Sequence, residues 1–521
     1  MSKRQSMHRR DFLRIAGVGA GALVFNNVLT ACQGLGGSSL LPAPTPVADA
    51  AGGIEVDIRA AKSEVQILEG EKTRVWQYQT QLVEGAEGSL QPIPNSYLAP
   101  VIRIRQGQTF RARLTNELDQ ETIIHWHGLH IPDEMDGHPR LAIAPGKSYE
   151  YEFKVINRAG TYWFHPHPHM LTGTQVFNGM AGLFIVHDEN ESALGLPEGE
   201  FDLPLVIQDR IFDADNQFSY VGDAMMGFLG DTVLVNGIPN FKLNVAARPY
   251  RLRMLNGSNA RIYKLAWSDA SPFTVIGTDG GLLEKPIERD FIMLAPGQRI
   301  ELWVDFSARS LGDEIILKSQ PYTAGFEMGM MGGLSTQGAP FDILTVTVDK
   351  ESSFRSDLPP VLSSPSFYLP EDASRTRTVK LAMQMMVGTL NGRTFAMDEV
   401  ASEEKVNLGS LEIWEFYNSG GGMGGMMMGG GMMAQPHPMH MHAVQFKVIE
   451  RVLDNPQIAA GYENIRAGLV DEGWMDTVLT WPGERVRVLV KFDHYAGLYI
   501  YHCHNLEHED GGMMRNFEIL A

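Results

Sequence analysis

Cys503 stands between two histidines in His502-Cys503-His504, and His508 and Met513 follow closely. A single thiolate is thus bracketed by imidazoles and trailed by a thioether. A cysteine, two histidines and a weak axial methionine make the ligand set of a blue-copper electron-transfer site, in which the soft thiolate favours copper over harder metals. The second histidine can come from His437, in His437-Pro438-Met439-His440-Met441-His442. Along a strand successive side chains point to opposite faces, so His502 and His504 project away from the side on which Cys503 binds its metal. They must serve another centre, and one short piece of backbone then joins a one-electron relay to it.

His125-Trp126-His127-Gly128 and His165-Pro166-His167 are further H-x-H pairs, which on strands put both imidazoles on one face. With His440, His442, His502 and His504 they make eight imidazoles in four pairs. Imidazole suits copper, iron, zinc and nickel alike, so it is the linkage to Cys503 that selects copper. One such pair is more often a surface or rim feature than a metal site. Here the four pairs, with His437 and His508, use ten of the sixteen histidines in the chain, which chance clustering explains poorly.

An internal repeat must position these residues. Thr109 to Leu118, Pro249 to Asn259 and Leu411 to Ser419 share one phrase, an alternating strand ending at an asparagine turn. Each is answered by a turn, Pro145-Gly146, Pro296-Gly297 or Pro482-Gly483, and a second alternating strand. Gly160, Gly312 and Gly497 then lead into TYWFHPH, EIILKSQ and YIYHCH, so the first and third copies carry ligands where the middle copy carries none. A period of about 150 residues predicts three homologous β-domains, and short strands between Gly/Pro turns predict antiparallel sandwiches or small barrels. The 521 residues agree with that division.

HWHG, HPHPH, HPMHMH and HCHNLEHEDGGM resemble the four copper-binding motifs of the multicopper oxidases, the family of laccases, cuprous oxidases and ferroxidases. The likeness extends over nearly all of the mature chain. It implies an all-β fold of three consecutive cupredoxin-like Greek-key domains, at 53–190, 195–350 and 370–521, in which the first and last share a trinuclear cluster and the middle is a spacer. It also implies four copper ions. The type 1 copper takes His437, Cys503, His508 and Met513, and the type 2 copper takes His125 and His440. Of the type 3 pair, one ion takes His127, His165 and His504, and the other His167, His442 and His502. Asp136 and Glu509 match acidic positions that the family uses to deliver protons to O2. An axial methionine, rather than leucine or phenylalanine, implies a lower-potential type 1 site. One departure from the pattern is Ala443, where glycine often follows H-x-H; His130, His138 and His169 lie near the motifs with no ligand position to fill.

The formal charge is −19, which makes nucleic acid an unsuitable partner. Arg9-Arg10-Asp11-Phe12-Leu13-Arg14 resembles a twin-arginine export motif, and the apolar stretch after it is too short to stay in a membrane as a spanning helix. Leu29-Thr30-Ala31-Cys32 resembles a lipoprotein box. The expectation is a signal peptide at 1–31, a lipid anchor on Cys32, a Gly/Ser/Pro-rich tether to residue 52 and a place in the bacterial cell envelope, as a monomer. Cys503 is then the sole free thiol and no structural disulfide can form. A plain signal peptide cut elsewhere is the alternative.

Every residue from Gly420 to Met433 is glycine or methionine, with Met423, Met426, Met427, Met428, Met432 and Met433 in a glycine matrix that ends just before His437. Such a tract cannot build a core, and thioethers select Cu(I). Met328, Met330 and Met331 form a second glycine-flanked cluster. Met383, Met385 and Met386 form a third, whose spacing reads equally as core. The reading is an exported oxidase that takes electrons one at a time from Cu(I), reduces O2 to water and contributes to copper tolerance. A broad laccase acting on phenols and aromatic amines is the runner-up. A copper storage or delivery protein and a copper-free envelope scaffold are the other classes, and the complete ligand set speaks against both.

Overall fold

The computed structural model describes residues 52–323, 336–365, 368–384, 387–421 and 434–521. The chain is all-β and builds three consecutive two-sheet bodies. Residues 54–187 form a four-stranded and a five-stranded sheet, 202–350 a seven-stranded and a five-stranded sheet, and 375–520 two five-stranded sheets. Each pair closes over its own apolar core. Ile58, Phe110, Trp126 and Phe184 lie in the first, Leu205, Leu252, Leu302 and Val346 in the second, and Phe416, Val488, Tyr501 and Phe517 in the third.

The repeated phrase appears three times as the same structural unit. Thr109–Asn116, Pro249–Asn256 and Leu411–Gly421 each run parallel to the first strand of their body, Ile54–Val65, Asp202–Arg210 and Arg375–Gln384. Each also pairs antiparallel with the strand after its Pro-Gly turn, Ser148–Lys154, Arg299–Asp305 and Glu484–Lys491. The asparagine has one job in all three copies. Its Nδ2 donates across the turn to Ile143 O at 2.9 Å, to Leu294 O at 2.8 Å and to Gln435 O at 2.7 Å. Its carbonyl accepts from the turn glycine, Gly146, Gly297 or Gly483. Those glycines have φ of 75°, 82° and 78°, a region that a side chain disfavours.

The middle copy departs from the half-buried alternation expected of it. Every residue of Pro249–Asn256 is buried, because Arg251 and Arg253 point into an ion network with Glu191, Asp202 and Glu301. Buried arginines are tolerated here because each guanidinium meets more than one carboxylate.

The H-x-H pairs sit at strand ends. Ile124–His127 pairs with Gly160–Pro166, setting His125 opposite His165, and His437–Met441 pairs with Gly497–Cys503, setting His440 opposite His502. His167, His442 and His504 lie just beyond the last residue of their strands, and their amides still donate to Ile123 O, Ile500 O and Pro438 O of the neighbouring segments. The residue between two histidines anchors the strand instead. Trp126 is fully buried against Phe110 and Phe164, at ring separations of 5.0 and 5.2 Å.

Candidate metal centre

The thiol site is assembled by one strand pairing and one helical turn. Met439 lies opposite Cys503, which brings His437 at the start of its strand next to the thiol: Cys503 Sγ is 3.4 Å from His437 Nδ1. The chain then turns into the short helix Leu506–Asp510, capped by Asn505 Oδ1 accepting from His508 N, and His508 Nδ1 comes to 3.6 Å from the same sulfur. Met513 follows the helix, packed against Gly388, where an added Cβ would lie 3.0 Å from its Sδ. All four side chains are buried. Burial pushes the Cys503 thiol well up, and it pulls His437 well down and His508 down to about 4. Neutral imidazoles are ligand-competent, whereas the thiol needs a bound cation to ionise. His508 Nε2 donates to Met225 O at 3.0 Å, which leaves Nδ1 with its lone pair beside the thiol.

The eight remaining histidines form one buried cluster drawn from both ends of the chain. His125 Nδ1 donates to Asp136 O at 2.7 Å and His440 Nδ1 to Asp476 O at 2.8 Å. Their Nε2 atoms therefore carry lone pairs, yet they lie 3.3 Å apart. His442 Nδ1 donates to Asp136 Oδ2 and His502 Nδ1 to Cys503 O, and their Nε2 atoms face each other at 3.2 Å. His502 Nε2 is also 3.4 Å from His167 Nε2. Opposed lone pairs in a dry interior repel unless a cation accepts them. The rings of His127, His165 and His504 are mutually adjacent at 5.0 to 5.7 Å, and His127 Nδ1, His165 Nε2 and both nitrogens of His504 have no hydrogen-bond partner. Orphaned buried nitrogens are costly in a protein with no metal to receive them. Burial holds His127, His165, His167, His440, His442 and His504 well below the usual histidine range, hence neutral.

The two acids singled out in the sequence are both here. Asp136 reaches His442 at 2.7 Å, and the Glu509 carboxylate lies 3.4 Å from His167 Nε2 and 3.2 Å from His502 Nδ1. A third acid was missed. Asp476 Oδ1 accepts from His127 Nε2 at 2.9 Å. The available signal was the Met-Asp pair, which recurs as Met135-Asp136 and Met475-Asp476 in the two ligand-bearing stretches. The middle stretch, expected as a spacer, reaches the thiol site through Met225 and through Tyr220, whose hydroxyl donates to Glu507 next to His508.

His130 packs on the His494 ring, His138 on Asn516 and His169 on Phe395, and none belongs to a group that could hold a metal among the described residues. Ala443 has φ of 56°, the conformation that glycine would take without strain. Met383 is buried in the third body, as the core reading has it. Met423, Met426, Met427, Met428, Met432, Met433, Met328, Met330, Met331, Met385, Met386 and Cys32 lie outside the described residues, as does the export segment. No helix among the described residues is long and apolar enough to cross a membrane.

Residues 74–191 and 365–520 each match a family model described as multicopper oxidase. The multicopper oxidase mco of Staphylococcus haemolyticus (strain JCSC1435) is 33% identical over 423 residues, covering 81% of this chain and 82% of the relative. A laccase of Bacillus stratosphericus is 31% identical over 461 residues, 82% of this chain and 85% of its own. Among solved structures, a multicopper oxidase from Campylobacter jejuni described as a metallo-oxidase superposes with a TM-score of 0.74 at 26% identity, over 92% of this chain and 94% of that one.

Proposed function

The chain belongs to the multicopper oxidase family, and on that premise we propose that it couples one-electron oxidation of Cu(I) to the four-electron reduction of O2 to two waters. Per turnover, four Cu(I) and four protons are consumed with one O2. The observation that carries the oxidase reading is the placing of Cys503: its thiol meets His437 and His508, while its two neighbours His502 and His504 stand in the histidine cluster.

The family implies copper, and the donor sets fit it. His437, Cys503, His508 and Met513 would hold a type 1 ion. His125 and His440 would hold a type 2 ion, and His127, His165 and His504, with His167, His442 and His502, a type 3 pair, four ions in all. When bound, copper accepts single electrons at the thiolate and carries the reduction of O2 at the cluster. Burial keeps His127, His165, His167, His437, His440, His442, His504 and His508 neutral, carbonyls and acids fix tautomers, and the buried setting excludes bulk water. Asp136 and Glu509, each on histidine nitrogens of the cluster, would hold and pass the protons that water formation consumes.

Cu(I) is the favoured donor because His508 is buried beneath the Asp223–Phe228 segment, whose Met225 carbonyl takes its Nε2 and which adds the half-buried thioethers of Met225 and Met226. These supply soft sulfur, and the Gly420–Met433 tract, which in sequence ends just before His437, adds more of the donor type that selects Cu(I). A bulky phenol would meet that segment before the imidazole. The laccase reading stays in view because a curated relative carries that name. We further read 53–190, 195–350 and 370–521 as the domains of a monomer. Residues 1–31 and Cys32 would be the signal and lipid anchor of a bacterial envelope protein serving copper tolerance. Oxygen uptake by the copper-loaded protein decides the donor. Rapid uptake with Cu(I) supports the proposal, and uptake with a simple phenol but not Cu(I) makes the protein a laccase.

A further inference from the structure

We propose that Arg299, from the middle stretch that supplies no histidine, is a positioning residue for the cluster: with Asp279 it clamps Asp476 so that His127 and His440 present the correct nitrogens. The inference rests on the reading that His127 and His440 hold copper.

Arg299 begins the strand after the Pro296-Gly297 turn and is buried. Its Nη1 donates to Asp476 Oδ1 at 2.8 Å, and its Nη2 to Asp476 Oδ2. Its Nε donates to Thr161 O in the first stretch at 2.9 Å, and its Nη2 also to Asp279 O at 3.1 Å. One guanidinium thus ties together all three stretches, with the planar, two-toothed geometry that lysine cannot reproduce. Asp279 grips the same place from the backbone side. Its Oδ1 accepts from Arg299 N at 2.7 Å and its Oδ2 from the amides of Asp476 and Thr477 at 3.2 Å each.

So held, Asp476 performs two orienting tasks. Its carboxylate takes the proton on His127 Nε2, leaving Nδ1 of that ring for a metal, and its carbonyl takes the proton on His440 Nδ1, leaving Nε2. Asp136 does the reciprocal work: its carbonyl takes His125 Nδ1 and its carboxylate takes His442 Nδ1. Each acid orients the first histidine of its own stretch and the second histidine of the other. Of these two acids only Asp476 has an arginine partner among the described ion pairs, so the two halves of the cluster are not equivalent.

Two glycines show that the clamp is built into the packing. A Cβ on Gly128, directly after His127, would lie 2.5 Å from Asp476 Oδ2 and 2.8 Å from Arg299 Nη2. A Cβ on Gly297 would lie 2.9 to 3.1 Å from the His504 ring. The turn that launches Arg299 is therefore also a wall of the cluster.

The test uses the full-length copper-loaded protein and its Arg299→Lys and Asp476→Asn variants, with Arg299→Met as the harsher case. Read out are the visible thiolate-to-copper band, the type 2 copper electron paramagnetic resonance signal and copper retention against a chelator. The visible band should persist in the Lys and Asn variants, showing an intact thiol site and fold. The type 2 signal should shift or vanish, and cluster copper should be held about 10- to 100-fold more weakly, the usual effect of losing an outer partner of a ligand histidine. Wild-type spectra and copper retention in both conservative variants would overturn the clamp alone. A wild-type protein with no type 2 signal would overturn the ligand reading, and the clamp with it.

Discussion

His138 shows at residue scale what separates a buried histidine from a ligand. Its Nε2 donates to Asn516 Oδ1 at 2.9 Å and its Nδ1 accepts from Arg140 N at 3.1 Å, so both nitrogens are committed within the protein. Protonation would break the second bond, and burial already lowers its affinity for a proton. The unfolded chain therefore takes up the proton first. This contribution to stability is complete above about pH 6.5 and is lost as the pH falls from there toward the depressed folded value. Thermal unfolding of His138→Gln should accordingly change less steeply with pH below 6.5 than that of the wild type; equal slopes would refute the assignment. The cluster histidines differ because they keep nitrogens that are unpartnered or face only another imidazole. Their acids should behave as proton holders. We expect Asp136→Asn and Glu509→Gln to slow oxygen uptake about 100-fold or more with the visible band unchanged, and loss of that band would show instead that they support the fold.

At the scale of elements, the three asparagine turns and the strands after their Pro-Gly turns were legible in the repeated phrases, because a strand that must bury one face and end at a turn has few ways to be written. The parallel pairing of each with the first strand of its body was not, since the expectation was of antiparallel sheets. Strand ends were less legible. The second histidine of three pairs falls one residue past its strand although its amide still bonds the neighbouring segment, so pairing with a partner, rather than local sequence, sets the boundary. The strand Val387–Leu390 shows the same point from the other side. Nothing in its sequence announces a role, yet Gly388 lies against Met513 with room for no Cβ: one would stand 2.7 Å from the methionine Cβ. If Met513 joins the thiol-site copper, Gly388→Ala should displace its thioether and move the visible band while leaving the type 2 signal as it is, and an unmoved band would show that Met513 is held elsewhere. Deleting Gly420 to Met433 should lower oxygen uptake driven by Cu(I) and spare or raise that driven by bulky phenols. The reverse pattern would end the case for cuprous capture by the tract.

For the whole molecule, the clustered histidines come from the first and last bodies, which are joined by a middle body whose sequence contains no histidine. Metal that binds the folded arrangement and not the unfolded chain stabilises it by mass action, about 4 kcal/mol when its free concentration is a thousand times its dissociation constant. Stripping copper with a chelator should lower the Tm by several degrees and readdition should restore it. A Tm indifferent to copper would mean that the bodies hold together without the metal. The buried ion network of Arg251, Arg253, Glu191, Asp202 and Glu301, which Arg103 joins to the first body through Asp202, is the element that could make it so between the first two bodies.

The sequence by itself determined the chemistry and the number of bodies. Ligand types cannot be exchanged without losing the metal, and each β-body needs its own strand-and-turn phrase, so both leave a local record. Tertiary structure alone decided which nitrogen each histidine presents, that Asp476 is a partner of His127, and that the middle body reaches both centres through Arg299 and Met225. The contacts of Asp476 with His127 and Arg299, and of Met225 with His508, join residues more than a hundred positions apart, and they form only when the three bodies are packed together.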